Sequence, residues 1–246
     1  MSKTAARITD ESVMERLGDD LTVTDREYVG YHVTRYAYTL RLVGEYLDRI
    51  GASPARPARV LDISPHFLTR LTHAFFGDRV VLDTLGWPDF RICPPELVNR
   101  HVQFDLNDAD VPERWPEFEE HDLVLMSEVI EHLYTAPRQV LAFLRNFVKP
   151  GGYLIVQTPN AVAIRSRLLM LAGKHPFDHI NEDRTQPAHF REYTLPELRR
   201  FGEAAGFRVD AGLHVDYFRS NRVLKLVALL SPTLRKGLTV VLQREA

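Results

Sequence analysis

The stretch His121-Asp-Leu-Val-Leu-Met-Ser-Glu-Val-Ile-Glu-His-Leu133 decides the fold. Residues 122–126 are a short apolar run, which is typical of a buried parallel strand. The residues that follow predict the start of a helix, with Ser127 as its cap and acids in the first turn, where the helix dipole favours them. Since open α/β sheets bind ligands at the carboxyl ends of their strands, we expect a functional site here. Spacings of i, i+3 and i+4 would place three side chains on one helix face: Glu128, Glu131 and His132.

Strands and helices alternate along the chain, separated by glycine, proline and asparagine turn signals. This alternation predicts an α/β fold, a doubly wound, Rossmann-like, seven-stranded and mostly parallel sheet with helices on both faces. The Lys-Pro-Gly-Gly segment at 149–152 is predicted to stop the helix before it. The predicted strands are 59–63, 80–83, 102–105, 123–126, 153–157, 207–211 and 237–243. The predicted helices are 11–17, 25–50, one that ends near 76, 137–148, 195–206 and 222–230.

Composition describes an ordinary globular chain. It has 246 residues, 45% of them hydrophobic, and a net charge of −2, so no global field attracts nucleic acid or a membrane. Cys93 is the sole cysteine, which excludes an internal disulfide and fits a reducing compartment. Residues 1–10 lack an apolar signal core, and the most apolar tract, 223–230, is too short to span a membrane. We therefore expect a cytoplasmic protein with no membrane partner.

The helix at 25–50 carries a stripe of tyrosines and precedes a proline-rich linker at 53–57. Two interpretations are open: a cover helix that packs on the domain, or a lid whose Tyr and Arg side chains contact a sugar or phosphate. We predict that residues 1–54 form this cover or lid. Residues 55–246 would form the α/β domain, with a substrate-side insertion at about 161–188.

Several motifs then occur in a recognisable order: Val60-Leu-Asp-Ile63, Asp83, Phe104-Asp105-Leu106, the stretch at 121–133, and Lys149-Pro-Gly-Gly-Tyr-Leu-Ile-Val-Gln-Thr-Pro-Asn160. Over roughly 55–245 the chain resembles the class I S-adenosylmethionine-dependent methyltransferases. The resemblance implies that S-adenosyl-L-methionine is the cofactor. The implied cofactor-binding residues are Asp62, Ser64, Asp83, Thr84, Asp105, Leu106, Met126 and Ser127.

Each implied position has a role in that family. Asp62 and the loop after it would face the methionine end, and Asp83 would bind the ribose hydroxyls. Asp105 with Leu106 would bracket the adenine, and residues 126–127 would line the floor beneath the sulfonium.

One segment departs from the family pattern. The family carries a glycine-rich loop after its first strand, where glycine lets the backbone approach the cofactor. Here the loop is Ile63-Ser-Pro-His-Phe-Leu-Thr69, which contains no glycine. Either the loop is rebuilt, or cofactor binding is weakened or lost.

A second segment, Ala188-His-Phe-Arg-Glu-Tyr-Thr194, resembles one in the small-RNA 3′-end 2′-O-methyltransferases, where its histidine helps to hold a divalent metal. The resemblance implies four metal ligands, Glu128, Glu131, His132 and His189, of which Glu128, His132 and His189 would be catalytic. Mixed carboxylate and imidazole donors are compatible with several divalent ions, and we expect Mg²⁺ or Mn²⁺. Two alternatives stay open: His132 is a lone base or a packing residue, or His175 or His179 replaces His189.

The motif set also resembles that of polysaccharide and natural-product O-methyltransferases. This resemblance implies a metal-assisted O-methyltransferase acting on a sugar, polysaccharide or glycosylated metabolite. A metal lowers the pKa of a hydroxyl, and two vicinal hydroxyls can chelate one ion. The near-neutral charge favours a small molecule or glycan over RNA. The alternatives are an RNA 3′-end 2′-O-methyltransferase and a non-catalytic methyltransferase-like binding protein; a homodimer is compatible with either. The RNA alternative requires a basic surface formed by Arg165, Arg167, Lys174 and Arg184.

Overall fold

The computed structural model describes residues 8–18, 20–177, 179, 181, 188–217, 226 and 230–245. The chain forms two compact units, one of Met1–Asp105 with Phe118–Leu125 and one of Leu106–Glu117 with Met126–Ala246. The helix predicted at 222–230 lies outside the described residues except for positions 226 and 230, and Arg184 of the predicted basic surface also lies outside them.

Seven strands form one sheet, in the order β3-β2-β1-β4-β5-β7-β6. They are β1 (Ala58–Ile63), β2 (Val80–Leu85), β3 (Arg100–Val102), β4 (His121–Ser127), β5 (Val148–Pro159), β6 (Arg208–Val215) and β7 (Gly237–Gln243). β1 pairs in parallel with β2 and with β4, and β2 in parallel with β3. β7 pairs antiparallel with β5 and with β6. The predicted fold class is confirmed.

The helices are α1 (Asp10–Glu15), α2 (Val23–Arg49), α3 (Phe67–Phe76), α4 (Pro137–Arg145), α5 (Ile164–Leu171) and α6 (Leu195–Ala204). Two of the helices, α1 and α2, begin at threonines whose side chains cap them, and α4 begins at a proline. α2 starts with a capping box, because the Thr22 side chain accepts from the Asp25 amide and the Asp25 carboxylate accepts from the Thr22 amide.

The tyrosines of α2 differ in exposure: Tyr46 is buried, whereas Tyr28 and Tyr31 are exposed. Among the described residues, no helix is both long and apolar enough to cross a membrane.

Several strand boundaries differ from the prediction, and at β3 and β5 the difference changes the interpretation. β3 ends at Val102, so the predicted strand at 102–105 is wrong; the chain leaves the sheet and enters a 3₁₀ turn at Leu106–Asp108. β5 begins at Val148, so the Lys-Pro-Gly-Gly segment lies inside a strand and does not stop the helix. Backbone hydrogen bonds hold this extension, since the Gly151 amide donates to the Arg244 carbonyl at 2.7 Å. Gly151 and Arg244 are distant in the sequence, so a local turn motif could not predict this pairing.

Asp62 is a buried acid near the end of β1. Its carboxylate accepts a hydrogen bond from the Thr69 hydroxyl at 2.6 Å, and the residue is 2% exposed. Burial raises the pKa of Asp62 to about 7, against the opposing effect of the Thr69 hydrogen bond. The folded state therefore binds this proton more tightly than the unfolded chain, where the carboxyl group has a pKa of 3.8. Folding stability should fall as the pH rises from about 4 to about 7.

We predict that Asp62→Asn raises the free energy of unfolding at pH 8 by a few kcal/mol and changes it little at pH 4, since one pKa unit corresponds to about 1.4 kcal/mol. The neutral amide avoids the burial of a charge, and its oxygen can still accept from Thr69. Urea unfolding at both pH values measures the difference, with Asp78→Asn at an exposed position as the control. An Asp62→Asn effect that is the same at pH 4 and pH 8 would contradict the raised pKa.

Candidate active site

The turn after β4 is not the predicted helix. Glu128 has a φ of +56°, in the left-handed region, so the chain cannot continue as an α-helix from Ser127. A 3₁₀ turn at Ile130–His132 follows. The prediction that Ser127 caps an α-helix is therefore wrong.

Gln157 on β5 explains this conformation. Its backbone carbonyl accepts from the Glu128 amide at 2.9 Å, and its side-chain oxygen accepts from the Ser127 hydroxyl at 2.9 Å. A left-handed non-glycine residue costs roughly 1 kcal/mol or more, so it persists where surrounding bonds determine it. The two hydrogen bonds that Gln157 accepts stabilise this conformation.

This turn brings together three of the four predicted metal ligands. Glu131, His132 and His189 each offer one ligand atom, and these atoms lie within 4.8 Å of one another. The two imidazole rings have centroids 4.9 Å apart and planes at 76°. Glu131 is fully buried, and its carboxylate accepts from the Thr158 hydroxyl at 2.9 Å. We call these three residues the Glu-His-His group.

Backbone hydrogen bonds fix the segment that carries His189. The carbonyl of Glu131 accepts from the amide of Phe190 at 2.8 Å and from that of Arg191 at 3.3 Å. Farther along, buried Tyr193 forms a parallel bridge with Asn160, which follows β5. The backbone of Glu131 thus positions His189, while the side chain of Glu131 lies in the same group.

The Glu-His-His group fits a divalent metal. A carboxylate with two imidazoles is a donor set that suits Mn²⁺, Fe²⁺ or Zn²⁺. The Nδ1 atom of His189 lies 3.1 Å from Oε1 of Glu192. Because a carboxylate only accepts, this bond places the proton on Nδ1 and a lone pair on Nε2, the usual outer-shell arrangement of a ligating histidine.

The other predicted ligands lie outside this group. The hydroxyl of Tyr217 is 3.2 Å from Oε1 of Glu128 and 3.1 Å from the carbonyl oxygen of Leu238, so it can donate to either. Within the described residues, neither Glu128 nor the alternative histidines His175 and His179 join the Glu-His-His group. The structure thus brings together three predicted ligands from two distant segments and leaves Glu128 at the turn.

In the first unit, the glycine-free loop after β1 is rebuilt around Ser64. This residue has a φ of +64°, the conformation that glycine usually supplies, and its amide donates to the Leu85 carbonyl at 2.8 Å. Gly86 follows β2 with a φ of +129°, and a Cβ atom there would lie 3.2 Å from the Ser64 nitrogen. A glycine after the second strand therefore permits the close approach that the loop itself requires.

Asp83 has a different environment from the one its predicted ribose contact needs. Its side chain is fully buried in the first unit, and three donors surround the carboxylate. They are Arg59 Nη2 at 2.6 Å, Asn99 Nδ2 at 2.8 Å and His121 Nε2 at 2.9 Å. Burial opposes ionisation, but these hydrogen bonds outweigh it and hold the pKa of Asp83 below its ordinary value. A ribose hydroxyl would have to displace one of these donors.

The remaining predicted cofactor residues differ in exposure. Thr84 is buried and bonded to Nδ1 of His101 at 2.9 Å, and Asp105 is partly exposed. In the second unit, Leu106 is 5% exposed and Met126 is fully buried, which suits apolar lining positions. Their contacts with a cofactor stay predictions.

Sequence reasoning missed an aromatic pair beside the Glu-His-His group. Tyr134 is 66% exposed, and its ring meets that of Phe190 edge to face at 5.8 Å. Tyr134 follows His132 by two positions, and Phe190 directly follows His189. An aromatic residue close behind each predicted histidine ligand was the available signal. Asn107 supports the pair by accepting from the Tyr134 amide at 2.9 Å.

Solved structures of methyltransferases share this fold. A SAM-dependent methyltransferase from Archaeoglobus fulgidus is 18% identical, with a TM-score of 0.50 over 83% of this chain and 94% of that one. The 1,6-didemethyltoxoflavin-N1-methyltransferase of Burkholderia thailandensis, solved with S-adenosylhomocysteine, is 17% identical, with a TM-score of 0.52 over 96% and 90%. An S-adenosylmethionine-dependent methyltransferase from Clostridium acetobutylicum is 10% identical, with a TM-score of 0.53 over 84% and 91%. At these identities the likeness shows the fold alone.

Family membership rests on the sequence. No curated protein matches the chain. A family model described as a methyltransferase domain matches residues 34–211, which is well over half of the chain. The chain therefore belongs to the class I S-adenosylmethionine-dependent methyltransferase family.

Proposed function

We propose that this methyltransferase is metal-assisted and methylates a hydroxyl of a sugar, polysaccharide or glycosylated metabolite. The observation that carries the proposal is the Glu-His-His group, a buried carboxylate and two imidazoles whose ligand atoms lie within 4.8 Å of one another. When bound, a divalent metal would lower the pKa of a coordinated hydroxyl and orient its oxygen. Three protein ligands leave coordination positions for two vicinal hydroxyls, which favours a diol.

The residues of the chain have separate roles in this proposal. Glu131, His132 and His189 would hold the metal, and Glu192 would keep His189 in the ligating tautomer. Glu128, at the left-handed turn, would accept the proton from the attacking hydroxyl. Methyl transfer needs no covalent intermediate with the protein, so positioning and removal of one proton are sufficient.

The aromatic pair supports a carbohydrate acceptor. An exposed Tyr134 ring next to Phe190 offers an apolar face with a polar edge, which suits the C–H face and hydroxyls of a sugar ring. Phe190 directly follows His189, and Tyr134 lies two positions after His132. A sugar stacked on this pair would present its hydroxyls to the metal ligands.

A second candidate, a non-catalytic methyltransferase-like protein, is favoured by one observation. The Asp83 carboxylate already accepts from three donors in the first unit, although the family places the ribose-binding acid at this position. Under this alternative the chain would not bind S-adenosylmethionine. The intact Glu-His-His group favours the enzyme.

We predict that His189→Ala abolishes the metal dependence and lowers kcat by at least about 100-fold, since even outer-shell substitutions at metal sites cost 10- to 100-fold. Its affinity for S-adenosylhomocysteine should stay near that of the wild type. The measurements are methyl transfer from labelled S-adenosylmethionine to glycans with a free vicinal diol, and metal binding by calorimetry. His175→Ala, an exposed histidine outside the group, is the matched control. Full activity of His189→Ala would rule out the metal-assisted mechanism.

We predict that Tyr134→Ala raises KM for a carbohydrate acceptor roughly three- to tenfold with a smaller change in kcat, because an aromatic contact is worth about 0.5–1.5 kcal/mol beyond area burial. Tyr134→Phe keeps the ring and should retain most of the wild-type KM. Steady-state kinetics with one acceptor test both variants. An unchanged KM for Tyr134→Ala would show that the acceptor does not stack there.

A further inference from the structure

A basic groove lies in the second unit, apart from the Glu-His-His group. Its cavity measures about 520 Å³. The titratable side chains that line it are Arg167, Arg199, Arg200, Glu203 and His214. Three arginines and one acid give the lining a positive charge, although the whole chain has a net charge of −2.

This positive charge is not neutralised by ion pairs. Within the part of the chain that the structure describes, no carboxylate forms a salt bridge with Arg167, Arg199 or Arg200. Elsewhere in the same unit, arginines do find acids: Arg191 pairs with Glu197, and Arg114 with Asp108. Arginines gathered around a cavity without paired acids are suited to an external anion.

Two of these arginines donate hydrogen bonds to neutral groups. Arg167 donates from Nε to the Val162 carbonyl at 2.6 Å and from Nη2 to the Thr233 hydroxyl at 3.1 Å. Arg199 donates to the carbonyl of Gly212 at 3.2 Å. A Cβ atom on Gly212 would lie 2.5 Å from Arg199 Nε, so an alanine there would require this flexible side chain to shift. Arg167 is therefore held at the groove before any ligand enters, whereas Arg199 is exposed.

The positive charge of the arginines affects the pKa of His214. Burial lowers the pKa of His214, and the positive charges of Arg235, Arg199 and Arg167 lower it further. Burial and the nearby arginines thus both favour the neutral form of His214. The electrostatic potential in the groove favours an anion.

We propose that this groove binds the phosphate or diphosphate group of the methyl acceptor, so that the acceptor is a phosphorylated or diphosphate-linked sugar. This inference rests on the proposed function for the identity of the acceptor. Guanidinium groups match the oxygens of phosphate in bidentate geometry. A cavity of about 520 Å³ is within the range of small-molecule sites, which favours such a sugar over an RNA strand.

Short segments connect the groove to the Glu-His-His group. Thr158 donates to Glu131, and Val162 in the groove lies four positions farther along. His189 and Thr194, which lines the groove, are five positions apart. An extended chain spans at most about 3.6 Å per residue, so the connected backbone positions lie within about 18 Å. A sugar diphosphate could place its phosphates in the groove and its hydroxyls towards the metal ligands.

The test is calorimetric titration of inorganic pyrophosphate and of UDP into the full chain, without divalent metal, cofactor or acceptor. We expect both to bind the wild type and to bind Arg199→Gln at least about tenfold more weakly, because hydrogen bonds to charged groups contribute substantially. Gly212→Ala retains every charge but displaces Arg199, so it should also weaken binding. Arg138→Gln, at an exposed position on α4, is the matched control and should bind like the wild type.

Absence of binding, or equal affinities for Arg199→Gln and Arg138→Gln, would overturn the proposal. So would a single-stranded RNA oligonucleotide that binds more than 100-fold tighter than UDP in an Arg199-dependent manner, since the groove would then serve RNA. The titration involves no methyl transfer, so its failure leaves the metal-assisted mechanism standing. Failure of the His189 experiment likewise leaves the groove standing.

Discussion

The hydrogen bond from the Glu128 amide to the Gln157 carbonyl is the constraint on which the candidate site depends. It holds Glu128 in the left-handed region and ends β4 in a tight turn. If the chain continued as a helix after Ser127, the carbonyl of Glu131 would accept a hydrogen bond within that helix. The turn instead releases this carbonyl to bind the segment that carries His189. The left-handed conformation of this one residue thus lets the end of a buried strand bring the Glu-His-His group together.

Glu131 links the turn after β4 to the segment that carries His189. Its carboxylate belongs to the Glu-His-His group and accepts from Thr158, while its carbonyl accepts from two amides after His189. A displacement of either segment would therefore move both the carboxylate and the histidine. This coupling keeps the three candidate ligand atoms close together, which would limit the reorganisation required if a metal binds.

The fold and the types of the site residues could be predicted from the sequence, because both depend on local patterns. Apolar runs and capping residues located most strands and helices. The spacing of carboxylates and imidazole singled out Glu131 and His132, and the resemblance of the segment at 188–194 added His189. The conformation of Glu128 could not be predicted, since it depends on a partner on β5. The same holds for Ser64, whose left-handed conformation relies on space left by Gly86, and for Asp83, whose donors come from three separated segments. Local sequence contains no record of such tertiary partners.

The most direct test of the central claim, a metal-assisted methyltransferase with a rebuilt cofactor loop, is calorimetric titration of S-adenosylhomocysteine with and without Mn²⁺. Stoichiometric cofactor binding is expected in both conditions, because the implied cofactor residues and the Glu-His-His group are distinct sets. Separate heat from Mn²⁺ binding is expected in the wild type. Absence of S-adenosylhomocysteine binding in both conditions would contradict the claim, and the chain would then be a non-catalytic member of its family.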